Sequence, residues 1–282
     1  MWIILVLIYG LLKGTREVCK KKSLEKNTVI EVLFFYTLFS FLLVLPSIAN
    51  LGSISIKLLS LIALKSLIIF LAWILSFHAI HAMPVSLYGI LDLSRVLFAT
   101  FLGISVLHEK MTVFRTVGLI LVASGLILLK YRKKGKTSEH VHPAVIAAAI
   151  TSCMLNSLSG LMDKILMRNV TSSQLQFWYM LFLVIMYFIY VLISHSQANL
   201  ALAVKNPWIW AMAILFVIAD KCLFIANGIE DSKITVMTLI KQSGCIITIL
   251  AGKFIFHEKN ISHKLICAAI IITGIAVGTF GN

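Results

Sequence analysis

Charge is what this sequence has least of. Only 13% of its 282 residues are Asp, Glu, Lys or Arg, against about 25% in an ordinary soluble domain. So few charges cannot cover a water-facing surface for a chain of this length, which argues against a soluble globular enzyme. Disorder is excluded from the other side, because 60% of the residues are hydrophobic and disordered chains are poor in them. No Walker A sequence (GxxxxGK[ST]) is present, so direct ATP drive would need a partner subunit. The five cysteines, Cys19, Cys153, Cys222, Cys245 and Cys267, form no CxxC pair. They read as small buried hydrophobes, with no disulfide framework. The first apolar run, Trp2–Leu12, has no basic stretch ahead of it and no small-residue cleavage site behind it, so no secretory signal is expected.

What the chain does have is long apolar runs. Mean hydropathy is +1.00. Trp2–Leu12 is too short to span and must continue through Lys13, Arg16 and Glu17 to about Lys20. Further runs follow at roughly 29–48, 58–82, 84–106 and 111–130, then at 143–168, 173–194, 208–230, 232–256 and 261–280. Each is near the ~20 residues a membrane helix needs, and twice the length of a barrel strand. The reading is an all-α integral membrane protein of ten transmembrane helices, with no length left for a sizeable soluble domain.

The two sets of runs echo each other. His108-Glu109-Lys110 recurs as His257-Glu258-Lys259, 149 residues on. The same offset pairs Ser94 with Ser243, Gly103 with Gly252, Gly125 with Gly274, and Asp92 with Lys241. We read a duplication, residues 1–136 and 137–282, each a five-helix unit. An odd helix count makes the second unit enter the membrane from the opposite side. The halves are then inverted repeats, an arrangement used by secondary transporters with the substrate site at the repeat interface.

The net charge is +14, and its cations cluster in short loops, as membrane orientation requires and nucleic-acid binding does not. The loops after helices 1, 3, 5, 7 and 9 carry Lys20, Lys21, Lys22, Lys26, Lys130, Arg132, Lys133, Lys134, Lys136, Lys205, Lys259 and Lys264. The other side carries mainly Lys57, Lys110, Arg115, Arg168 and Lys233. The heavier side is expected in the cytoplasm of a plasma-membrane protein, which puts both termini outside.

Each half resembles an EamA repeat of the drug/metabolite transporter superfamily. The resemblance is carried by Glu109 and Glu258 in the turns before each fifth helix, by the late glycines Gly125 and Gly274, and by the polar first helices, Tyr9-Gly10 to Lys20 and Asn156 to Arg168. It implies a ten-helix secondary transporter, or exporter, of small metabolites. Relatives in that family usually keep both termini in the cytoplasm; the Lys/Arg count here gives the opposite expectation.

Ionisable residues inside membrane spans mark function by default. Tyr88, Asp92 and Arg95 share one helical face, and Asp92 is the repeat equivalent of Lys241. Asp220, Lys221 and Lys65 fall near midplane on the third helices, and Lys13 and Asn156 on the opening helices. These nine residues are the expected lining of a polar cavity. Lys13, Lys65, Arg95, Lys221 and Lys241 outnumber Asp92 and Asp220, so an anionic group on the substrate is favoured, as in an amino acid or organic acid. A coupling proton or ion and a homodimer are compatible partners; lipid is the obligatory one. No cofactor and no metal are expected: His78 and His81 are one helical turn apart but have no clear third ligand. Gly274 and Gly278 form a GxxxG for close packing, internal or between copies. A membrane-embedded enzyme or lipid-handling protein would need its catalytic groups clustered at one interface. A membrane scaffold or sensor would not need charges at midplane in both halves.

Overall fold

The computed structural model describes residues 2–108, 111–130, 141–194, 200–258 and 261–280. Glu109, Lys110, Arg132, Lys133, Lys134, Lys136 and Lys259 lie outside the described residues. Every regular element described is helical. In chain order they are α1 (Trp2–Ser23), α2 (Val29–Val44), a 3-10 segment (Leu45–Asn50), α3 (Ile56–Ala82), α4 (Val85–Asp92), α5 (Arg95–Leu107) and α6 (Val113–Lys130). There follow α7 (Pro143–Leu166), α8 (Ser172–Ile193), α9 (Leu200–Lys205), α10 (Pro207–Asn227), α11 (Ile234–Lys241), α12 (Gly244–Phe254) and α13 (Ile261–Phe280).

Among the described residues seven segments are long and apolar enough to cross a membrane, among them Val29–Ala49, Ile56–Ala82 and Val85–Leu107. The apolar helix segments Val113–Leu128 and Gly244–Phe254 are shorter. The 22-residue α1 is long enough but carries Lys13, Arg16, Glu17, Lys20, Lys21 and Lys22.

Two runs that read as continuous helices are each broken. The first breaks at Leu93–Ser94 between α4 and α5, the second at Gln242–Ser243 between α11 and α12. At both, the backbone tightens to three-residue bonds: Ser94 N–H to Leu91 carbonyl and Leu97 to Ser94, then Ser243 to Ile240 and Ile246 to Ser243. Such a 3-10 turn redirects the axis while keeping backbone groups paired, which an apolar environment demands. The two breaks are 149 residues apart, as are the two non-glycine residues with positive φ among the described residues, His108 (53°) and His257 (49°).

Features of the opening helices recur at a shorter spacing. Thr28 with Glu31 starts α2 with a reciprocal capping box, and Thr171 with Gln174 does the same for α8, 143 residues on. Lys21 donates to the carbonyls of Ile80 (2.7 Å), His81 (2.9 Å) and Met83 (2.9 Å), closing the C-terminus of α3. Lys164, also 143 residues on, donates to the carbonyls of Asn227 and Ile229, both at 3.0 Å, closing α10. The offset of 149 therefore does not run through the whole chain: features of the first two helices sit six residues closer.

Helix packing has the same pairwise exchange. α1 lies along α10 while α3 lies along α7; α4 packs on α12 while α5 packs on α11; α6 pairs with α13 and α2 with α8. At the α6–α13 seam a Cβ on Gly118 would come within 2.5 Å of the Gly274 carbonyl and 2.9 Å of Gly278 Cα. The GxxxG is thus spent on contact inside the chain.

Glu258 acts across the molecule rather than within its own turn. Its carboxylate accepts from the Val85 amide (2.6 Å), the Ser86 amide (3.3 Å) and the Ser86 hydroxyl, and pairs with Lys264 at 3.1 Å. It occupies the N-terminus of α4, just after Pro84, where free amides and the helix dipole favour an anion. Gly252 leaves it room, since a Cβ there would sit 2.9 Å from the carboxylate. Glu258→Ala should lower the melting temperature in detergent, with a loss of about 2–3 kcal/mol from the orphaned amides and lysine. Glu258→Gln should lose less. A Glu258→Ala melt equal to wild type would show that the clamp contributes nothing.

Candidate functional site

A cavity of about 70 Å³ lies where α1, α3, α5, α7, α8, α10 and α11 converge. It has room for a few waters. α1 contributes Tyr9, Lys13 and Arg16; α3 Lys65 and Trp73; α5 Arg95; α7 Asn156, Gly160 and Asp163. Tyr179 comes from α8, Phe216, Asp220 and Phe224 from α10, and Thr238 and Lys241 from α11, with Gln242 in the break that follows. Helical period explains the contributions. Tyr9, Lys13 and Arg16 are spaced i, i+4, i+7, and so are Asn156, Gly160 and Asp163, so each set forms one stripe.

The charges are mostly cross-linked. Asp92 is bound by both Lys13 and Arg95, and all three are largely removed from solvent. Lys65 pairs with Asp163 at 3.1 Å and stands 3.5 Å above the Tyr179 ring. Arg16 lies 4.9 Å over the Phe216 ring and donates to the Tyr36 hydroxyl at 3.5 Å. Lys241 is 5.7 Å from the Tyr9 ring. Further along α1, Glu17 pairs with Lys20 at 2.6 Å, and Lys20 reaches Ser76 Oγ (3.3 Å), which bonds the Tyr88 hydroxyl at 2.6 Å.

Of the residues expected from sequence, Lys13, Lys65, Arg95, Asn156, Asp220 and Lys241 border this cavity. Asp92 and Tyr88 face an adjoining recess of about 10 Å³, bordered also by Lys13, Glu17 and Lys241. Lys221 is elsewhere: its ammonium donates to Ser173 Oγ at 2.7 Å, between α10 and α8. It follows Asp220 directly, and a single residue step turns a side chain about 100° around the helix. Arg16 and Asp163 join the lining without having been expected. Among the described residues no group of three or more His, Cys, Asp or Glu could hold a metal.

Residues 1–131 match the EamA-like transporter family. A protein of known crystal structure aligns over 96% of this chain and 96% of its own, with a TM-score of 0.64 and 13% identity. At that identity the likeness concerns the fold alone. No curated protein matches the sequence.

Proposed function

We propose that this multi-pass membrane protein, whose residues 1–131 match the EamA-like transporter family, is a secondary transporter of a small metabolite bearing an anionic group. An amino acid or organic acid is the class we favour, moved by alternating access in the export direction. That family is one of transporters rather than enzymes. The observation that carries the substrate class is the cavity: Lys13, Arg16, Lys65, Arg95 and Lys241 border it against Asp163 and Asp220. A basic excess at low dielectric holds an anion more strongly than the same charges would in water. The test is flux from liposomes containing the purified protein, loaded with a metabolite panel, with and without a pH gradient. Release of acids and amino acids over cations and neutral sugars is expected; the reverse order would overturn the substrate class.

We also infer ten spans in two inverted five-helix repeats, with α4–α5 the fourth span and α11–α12 the ninth. Support comes from the paired breaks, the paired positive-φ histidines and the exchanged packing partners. The change of offset from 149 to 143 fits a length difference between the second and third helix of each unit. Orientation follows the Lys/Arg count, with both termini outside. A cysteine introduced as Asn282→Cys should then react with an impermeant maleimide on intact cells. Reaction only after permeabilisation would place the termini in the cytoplasm.

A further inference from the structure

Most charged groups around the cavity are already satisfied by one another. Asp92 takes Lys13 and Arg95, Asp163 takes Lys65, and Arg16 rests on Tyr36 and Phe216. Two remain. Asp220 is 6% exposed and borders the cavity, yet among the described residues no hydrogen bond or ion pair reaches its carboxylate. Lys241 borders the same cavity; among the described residues no hydrogen bond or ion pair reaches its ammonium, which lies 5.7 Å from the Tyr9 ring and feels Asp163 and Asp220 only at longer range. An unpaired ion out of bulk water is strongly disfavoured. Here two of opposite sign are held in one cavity without meeting each other, which serves no packing purpose.

We propose that Asp220 and Lys241 are the two poles of a zwitterion site. Asp220 receives the ammonium of the substrate and Lys241 its carboxylate, while Trp73 and Phe216 face the rest of the molecule. This rests on the transport reading above and narrows it. A basic cavity alone would accept any small organic anion. Asp220 adds a requirement for a cationic group and repels a second carboxylate placed near it. Electrostatic mismatch of this kind discriminates by leaving a buried charge unpaired. Asp220 is in this sense the specificity-determining residue and Lys241 the anchor.

The experiment loads proteoliposomes with an equimolar mixture of the protein amino acids and their deaminated carboxylates, and measures efflux by mass spectrometry. Wild type should release amino acids in preference to the matching carboxylates. Asp220→Asn should lower the amino-acid-to-carboxylate ratio at least about tenfold, whereas Lys241→Gln should lower the flux of both. An unchanged ratio in Asp220→Asn overturns the assignment, also if the variant only loses its pH dependence, because Asp220 would then carry a proton instead. Release of carboxylates alone by wild type overturns it while leaving transport standing. Movement of neither class above protein-free vesicles overturns the transport reading and this inference with it. A measurement on wild type alone covers a variant that does not fold: leucine should raise the melting temperature, and 4-methylpentanoate and leucinamide should not. Equal shifts from leucine and 4-methylpentanoate would count against the site.

Discussion

Asp92→Ala is expected to remove most of the folded protein. The carboxylate lies between the Lys13 ammonium and the Arg95 guanidinium, and it is 6% exposed. Deleting it leaves two cations facing each other with no anion between them. Removing one partner of a buried ion pair costs about 3–5 kcal/mol, a large part of the roughly 5–15 kcal/mol that keeps a domain folded. Lys13→Met alone leaves Asp92 with Arg95 and should be milder. Combined with Asp92→Ala, it should recover part of the loss, since one of the two orphaned cations is gone. Lys241 lies 149 residues after Asp92 but is not its ion-pair partner, so Lys241→Gln should give no such recovery. Monodisperse yield and melting temperature in detergent decide the matter. An Asp92→Ala protein that elutes and melts like wild type would mean the triad contributes no stability.

The helices were legible because burial in lipid leaves its mark on every residue of a span. Run lengths near 20 give the place of most of them, and α1 is marked by the apolar stretch Trp2–Leu12 ahead of its charges. The break at Leu93–Ser94 was not legible, because Leu and Ser give no specific stop; the one at Gln242–Ser243 carried a signal in the Ser243-Gly244 pair, a common site of helix kinks. The cavity was readable in part. Depth arithmetic brings Lys13, Asp92, Asp220 and Lys241 to the same level, but depth says nothing of rotation about the helix axis. That is why Lys221 was grouped with Asp220 although it faces Ser173. The signal for Arg16 and Asp163 was available. Both complete i, i+4, i+7 stripes with residues already suspected, Lys13 on α1 and Asn156 on α7, the same test that joins Tyr88, Asp92 and Arg95. The true partners of Asp92 needed the structure, because a repeat offset identifies equivalent positions and not neighbours.

Two glycines, Gly14 beside the smaller recess and Gly160 on the cavity wall, should respond to alanine in opposite ways. Gly14 is where α1 crosses α12. A Cβ there would lie 2.4 Å from the Gly244 carbonyl oxygen and 2.8 Å from Gly244 Cα. Both are backbone atoms, so no side chain can swing aside, and the helices themselves must separate. Overpacking costs typically about 1–3 kcal/mol and more when nothing yields, against at most ~1 kcal/mol gained from replacing glycine in a helix. Gly14→Ala should therefore melt well below wild type. It should also impair transport in whatever fraction folds, because Lys13 is the preceding residue and moves with it away from Asp92. Gly160 on α7 has nothing within 4 Å of its Cβ position and borders the cavity. Gly160→Ala meets no clash and gains the helix propensity, so it should melt at or above wild type. Gly160→Leu should keep the fold and fill the space that substrate needs, abolishing flux at normal yield. If Gly160→Leu transports like wild type, the cavity is not on the substrate's path. If Gly14→Ala melts like wild type, the α1–α12 crossing is looser than a backbone contact through paired glycines permits.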